Sequence, residues 1–159
     1  MFKVAASDVE TYFAFDPSRE ADLRAVDRMI RRAAPTLKRW FVTGTPQGKA
    51  GMSMVMIGYG RFTYTVRSSP QPIDWPIIGL ALQKNYLSLY LSARRDGAPL
   101  LSFYVDRLGK VSVSKIGAMT FAQAADIDHD EFIAMLRTLA VDIDNRRVEL
   151  RYGRAKPSS

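Results

Sequence analysis

Trp75-Pro76-Ile77-Ile78-Gly79-Leu80-Ala81-Leu82-Gln83-Lys84-Asn85-Tyr86-Leu87-Ser88-Leu89-Tyr90-Leu91 is the stretch on which the fold turns. Residues 75 to 82 are apolar almost without interruption and read as a strand. Gln83-Lys84-Asn85 has the length and polarity of a hairpin loop. Beyond it Leu87, Leu89 and Leu91 point one way while Tyr86, Ser88 and Tyr90 point the other, the period of a pleated strand. Two strands joined by so short a loop must pair antiparallel, so a mainly antiparallel sheet is predicted at the centre of the chain.

Working outward towards the N-terminus, Phe62, Tyr64 and Val66 alternate with Thr63, Thr65 and Arg67, a half-buried strand. Met52 to Ile57 and Lys38 to Thr43 are read as two more strands, separated by the turn-rich loop Gly44 to Gly51. Before them, Leu23, Val26, Ile30 and Ala33 recur at helical spacing. This predicts an amphipathic helix that restarts at Asp16-Pro17 and stops before Pro35. Asp8 to Phe15 reads as a shorter helix with Ser7 as its N-cap.

Towards the C-terminus, Pro99, Leu101, Tyr104, Val105, Leu108 and Gly109 predict a helix of about three turns. Val111 to Phe121 reads as one or two short strands. Asp128 as N-cap, Glu131 three residues later and the Ile127 and Phe132 pair announce a last helix running to about Asp144. Helices segregated from a run of strands give an α+β class, with N- and C-terminal helices packed against the sheet.

Composition narrows the chemistry. At 47% hydrophobic and 25% charged, the 159 residues suit one globular domain, drawn over residues 1 to 145. The absence of cysteine excludes disulfides, thiolate metal sites and a cysteine nucleophile. No signal-peptide run or membrane-length apolar segment is present, so a cytoplasmic protein without membrane contact is expected. The net charge of +7 is concentrated: residues 146 to 159 carry +4 and the rest +3. Arg146, Arg147, Arg151, Arg154 and Lys156 therefore read as a solvated basic tail, with nucleic acid as the partner class such an arm would serve.

Trp75 to Tyr86, Leu89-Tyr90-Leu91, Leu108-Gly109-Lys110, Lys115-Ile116 with Phe121, and Asp126-Ile127-Asp128 together resemble the YdhG-like family, a largely uncharacterised domain. The similarity covers about residues 8 to 143 and rests on structural residues, without a chemical motif. It implies a frataxin-like α+β sandwich, and the iron-chaperone role proposed for some relatives makes iron the cofactor or cargo to look for.

Iron in an oxygen-rich site needs several carboxylates on one surface. Asp8, Glu10, Asp16, Glu20, Asp22 and Asp27 form one acidic group, but Arg19, Arg24 and Arg28 are interleaved, and Glu20 and Arg24 have i,i+4 ion-pair spacing. They read as a salt-bridged, solvated helix face. Asp126, Asp128 and Asp130, beside Glu131 and the sole histidine His129, form the candidate metal site. Capping already occupies Asp128 and Glu131. His129, in a first helical turn, reads as a surface residue, so no histidine triad is expected. Gly48-Lys49 fails as a phosphate loop on glycine spacing, on Ala50 and on the strand that follows.

A second candidate is the aromatic set Phe62, Tyr64, Trp75, Tyr86, Tyr90 and Tyr104 with Arg61, Arg67, Lys84 and Lys115. Trp75, Lys84, Tyr86, Tyr90 and Lys115 are the predicted ligand-binding residues if one sheet face is open to stack bases or hold an anionic small molecule. The expectation is a non-enzymatic binding or carrier protein for a metal ion, small molecule or protein, with iron handling its most specific form. Nucleic-acid or anionic-ligand binding through the aromatic face and basic tail is the alternative.

Overall fold

The computed structural model describes residues 2–44, 54–67 and 69–151. The helices are α1 (Val9–Ala14), α2 (Glu20–Ala33) and α3 (His129–Asp144). The strands are β1 (Arg39–Val42), β2 (Met56–Tyr59), β3 (Phe62–Val66), β4 (Ser69–Trp75), β5 (Ile78–Leu82), β6 (Leu87–Leu91), β7 (Ala93–Arg95), β8 (Ala98–Pro99), β9 (Ser112–Val113), β10 (Ala118–Phe121) and β11 (Glu149–Leu150). The α+β class with a mainly antiparallel sheet is what forms. Six strands pair antiparallel in the order β1-β2-β5-β6-β10-β9. No helix among the described residues is long and apolar enough to cross a membrane.

The leucine face of β6 is the face the helices cover. Ile78, Leu80 and Leu82 of β5 and Leu87, Leu89 and Leu91 of β6 share one core with Leu23, Val26 and Ile30 of α2 and Phe132, Leu136 and Leu139 of α3. Tyr12 of α1 is buried there too, and its hydroxyl accepts the N–H of Leu82 at 2.7 Å, at the end of β5. Burial pushes the Tyr12 phenol up to about 12. Tyr12→Phe keeps the ring and leaves that buried amide without an acceptor, so a loss of about 1 to 2 kcal/mol is expected in urea unfolding. An unchanged midpoint would mean that the amide finds another partner.

The opposite face carries a second, smaller core. Val42, Met56 and Ala81 of the sheet pack against Tyr64, Ile73 and Trp75 of the β3–β4 hairpin, with Tyr90 at its margin. Gly58 and Gly79, register partners in β2 and β5, make room for this layer. A methyl on Gly58 would lie 2.7 Å from Val42 and 2.9 Å from Pro76. The run 75–82, read as a single strand, is therefore two. Pro76 offers no N–H to a ladder, and the chain crosses there from the hairpin to the sheet.

Other boundaries move for identifiable reasons. Asp8, not Ser7, caps α1, because its carboxylate accepts the Thr11 amide at 2.8 Å at the positive end of the helix. Residues 16 to 18 form a turn held by Asp16 and Ser18, so α2 starts only at Glu20. The three-turn helix predicted after Pro99 is two short 3-10 turns, Leu100–Phe103 and Val105–Arg107. Pro99 pairs with Arg94 and Gly109 bridges to Ile127, which pins both ends of the segment. The strand predicted from Met52 is formed over Met56–Tyr59, and residues 45–53, with most of the rejected phosphate loop, lie outside the described residues. Asp128 caps α3 as expected, accepting the Glu131 amide at 3.1 Å.

Pairing with the rest of the fold continues past residue 145. β11 pairs with β7, the Arg151 amide donates to Ser92 O at 2.8 Å, and Arg95 is bound at 2.7 Å to the buried Asp142 of α3. The ordered fold thus includes the first part of the expected tail. Residues 152–159, with Arg154 and Lys156, lie outside the described residues.

Candidate functional site

α2 buries Leu23, Val26, Met29, Ile30 and Ala33, and the same stripe contains Asp27. A carboxylate in that position needs partners, since an isolated buried charge is heavily penalised. It has three. Tyr59 of β2, itself fully buried, donates its hydroxyl to Asp27 Oδ1 at 2.6 Å. Arg39 at the start of β1 donates to Oδ2 at 3.0 Å, and Arg31, one turn further along α2, approaches the same oxygen at 3.6 Å. Burial, reinforced by the Asp27 charge, holds the Tyr59 phenol well above the usual tyrosine range.

This anchor fixes one wall of a cleft. The preference of Ala34 against helical backbone ahead of Pro35 ends α2, and the chain turns through Leu37, whose amide bonds to Ala34 O at 3.1 Å, into β1. The turn brings the last two turns of α2 beside the first residues of β1. Arg28, Arg31, Arg32, Lys38 and Arg39 surround a cleft of about 590 Å³ together with Pro35 and Leu37. Arg31 and Arg39 are tied to Asp27. The side chains of Arg28, Arg32 and Lys38 have no hydrogen bond or ion pair among the described residues.

Five cations against one carboxylate leave the cleft strongly positive. The helix dipole accounts for Arg31 and Arg32, since cations are favoured at a helix C-terminus. It does not account for Lys38 and Arg39, which come from a different element. Guanidinium groups fixed by a buried acceptor present planar donors suited to carboxylate or phosphate oxygens, and a flexible lysine adds a point charge.

A second cleft, of about 450 Å³, lies between β1 and the β3–β4 hairpin, lined by Trp40 to Gly44, Arg61 and Pro72 to Trp75. Trp40 donates its indole N–H to Gly60 O at 2.7 Å, and the Arg61 guanidinium lies over its ring at 3.9 Å. One face of Trp40 is thereby occupied from within.

The residues singled out in the sequence do not converge. Trp75 is 2% exposed and packs edge-on against Tyr64, so it is core. Tyr90 is half-buried beside the second core, with its hydroxyl 3.2 Å from Gln83 Nε2, and burial raises its phenol above the usual value. Lys84 and Tyr86 are exposed in the β5–β6 turn. Lys115 is exposed in the β9–β10 turn, at the other end of β6, whose length alone is ~13 Å at ~3.3 Å per residue. The hairpin roofs much of the tyrosine face, so the open face on which the stacking set was conditional is not formed around Trp75 and Tyr90.

The acidic candidates are likewise dispersed. Asp128 is the cap of α3, Asp126 lies in a 3-10 turn before it, and Asp130 is exposed in the first turn. Among the described residues no three His, Asp or Glu side chains gather as metal ligands, so Asp126, Asp128 and Asp130 do not form the trio they suggested. In the N-terminal acidic group, Glu10 and Glu20 both bind Arg24 at 2.9 Å and Asp22 accepts the Ala124 amide at 2.9 Å. Asp27, read as part of a solvated face, is buried instead. Its place on the Leu23, Val26 and Ile30 stripe was the signal that marked it out.

No family model, curated protein or solved structure matches this chain.

Proposed function

We propose that this chain is a non-enzymatic binding protein for an anionic partner, held at the cleft between the end of α2 and the start of β1. One observation carries the reading: Arg28, Arg32 and Lys38 converge on that cleft without an anion of the protein among the described residues, beside Arg31 and Arg39 braced by buried Asp27. The reading keeps the anion-binding alternative drawn from the sequence and moves it from the aromatic face to the helix end. Membership of the YdhG-like family, a frataxin-like topology and iron handling rest on the resemblance alone. A cationic cleft repels iron, and Asp27, the acid bound to its arginines, is engaged in ion pairs.

The test is calorimetric titration of inorganic tripolyphosphate at low and high salt. Binding is expected to weaken steeply as salt rises, because the contacts are charge to charge. The double variant Arg32→Glu, Lys38→Glu should weaken it about tenfold or more, a change of about 1.4 kcal/mol or greater. Lys84→Glu with Lys115→Glu should leave it within twofold. Binding that survives the first pair and fails with the second would place the anion on the other side of the molecule and overturn the reading.

A further inference from the structure

We infer that the anionic partner is an extended, acidic segment of another protein that adds a strand to the open edge of β1, an inference that rests on the cleft reading above. β1 is an outermost strand of the six-stranded sheet. The Gly60 amide donates to Lys38 O at 3.0 Å, which makes residues 38, 40 and 42 the positions bonded to β2. In an antiparallel ladder the alternate residues turn their N–H and C=O groups the other way. Those residues are Arg39 and Phe41, and no described residue bonds to their outward backbone groups.

The two clefts flank this edge, the basic one on the side of α2 and the other on the side of the β3–β4 hairpin. The basic one is lined by Leu37, Lys38 and Arg39, and the other by Trp40 to Gly44, so every residue from Leu37 to Gly44 faces one or the other. Eight residues in a row span roughly 23 Å at ~3.3 Å per residue, enough for a peptide of about seven residues. A partner strand would meet positive charge at one end and, at the other, a mixed wall in which Trp40 and Pro72 stand beside the Arg61–Asp74 ion pair. Charge complementarity selects acids for the first end. β-branched and aromatic residues suit the extended backbone that the rest of the peptide must adopt. Antiparallel pairing, as between β1 and β2, sets the acids at the C-terminal end of the peptide.

Nucleic acid fits this surface less well. Single strands are held by aromatic faces that bases can stack on. Here one Trp40 face carries the Arg61 guanidinium and Trp75 is buried. Backbone donors and acceptors in strand register are of no use to a phosphodiester chain and are what a peptide requires.

A displayed library of random dodecapeptides, selected on the wild-type protein and counter-selected on the folded Arg32→Glu, Lys38→Glu variant, tests the inference. Enriched peptides are expected to carry two or more Asp or Glu residues towards the C-terminal end, preceded by alternating β-branched or aromatic residues. N-methylation of two alternate backbone amides in the best peptide should weaken binding about tenfold or more, and amide exchange at Arg39 and Phe41 should slow in the complex. If the N-methylated peptide binds as well as its parent, or no acid bias emerges while tripolyphosphate still binds the cleft, strand addition is wrong and the anion cleft stands. If a twelve-residue oligodeoxythymidylate binds the cleft and no peptide is enriched, the partner is nucleic acid and the inference falls. If neither the peptides nor tripolyphosphate bind, the cleft reading itself falls.

Discussion

Replacing Asp27 by alanine is expected to lower the unfolding free energy by about 3 kcal/mol or more, the largest effect of any single side-chain truncation at the candidate site. Most of that loss comes from what the carboxylate leaves behind. Tyr59 is fully buried and its hydroxyl donates to Asp27 at 2.6 Å, so truncation strands a polar group in the core. Arg39 is 27% exposed and loses the acceptor that holds it over the cleft. Arg31, 55% exposed, contributes little, because a solvated ion pair is worth ~1 kcal/mol at most. Asp27→Asn preserves an acceptor for Tyr59 and should cost less than half as much. Urea unfolding of the two variants checks this. A loss below ~1 kcal/mol for alanine would mean that Asp27 does not anchor the cleft. Both variants should also weaken anion binding, since Arg39 is no longer braced.

Gly109→Ala is the second large effect, at about 3 kcal/mol. Gly109 has φ +92, a conformation that side chains rarely adopt, and it bridges to Ile127. An added Cβ would fall on the Asp126 carbonyl oxygen and lie 2.9 Å from the Asp128 amide. Those are backbone atoms, and they cannot move without disturbing Lys110 N–H to Asp126 O and Asp128 N–H to Leu108 O, the two bonds that set the start of α3. Gly97 is the natural comparison. It has φ +79 but nothing within 4 Å of a new Cβ, so Gly97→Ala should cost only the conformational part, about 1 kcal/mol. Thermal or urea unfolding of the pair separates collision from strain. Equal losses at the two positions would contradict the packing described around Asp126.

The two comparisons also show where sequence patterns stop. The alternation of Leu87, Leu89 and Leu91 with Ser88 and Tyr90 located β6 and its two faces, and the Asp128 to Glu131 spacing located α3, because both signals are local. Which layer covers each face is not local. Tyr64, Ile73 and Trp75 became a second core because the chain folds back at Pro76. The alternation of β3 gave the strand but not its destination. Gly109 was legible as a stop signal and not as a bridge, since its partner Ile127 lies eighteen residues away in the chain.

The cleft was hidden for a related reason. Arg31 and Arg32 read as the basic end of an amphipathic helix, Arg28 as part of its salt-bridged face, and Lys38 and Arg39 as the start of a strand. Only the turn at Pro35 sets them against one another. Asp27 carried the clearest unused signal, because an acid on the stripe of Leu23, Val26 and Ile30 demands a buried partner. Its place among acids interleaved with arginines suggested a solvated, salt-bridged face and concealed the need for Tyr59 and Arg39.

The most direct measurement of the central claim is a nitrogen-15 chemical-shift titration of the full chain with inorganic tripolyphosphate at low salt. Shifts concentrated on the amides of Arg28, Arg31, Arg32, Lys38 and Arg39, and lost on adding salt, are the predicted result. Shifts at Lys84, Tyr86, Tyr90 or residues 152–159 with none at the cleft, or no shifts at all at millimolar tripolyphosphate, would contradict it.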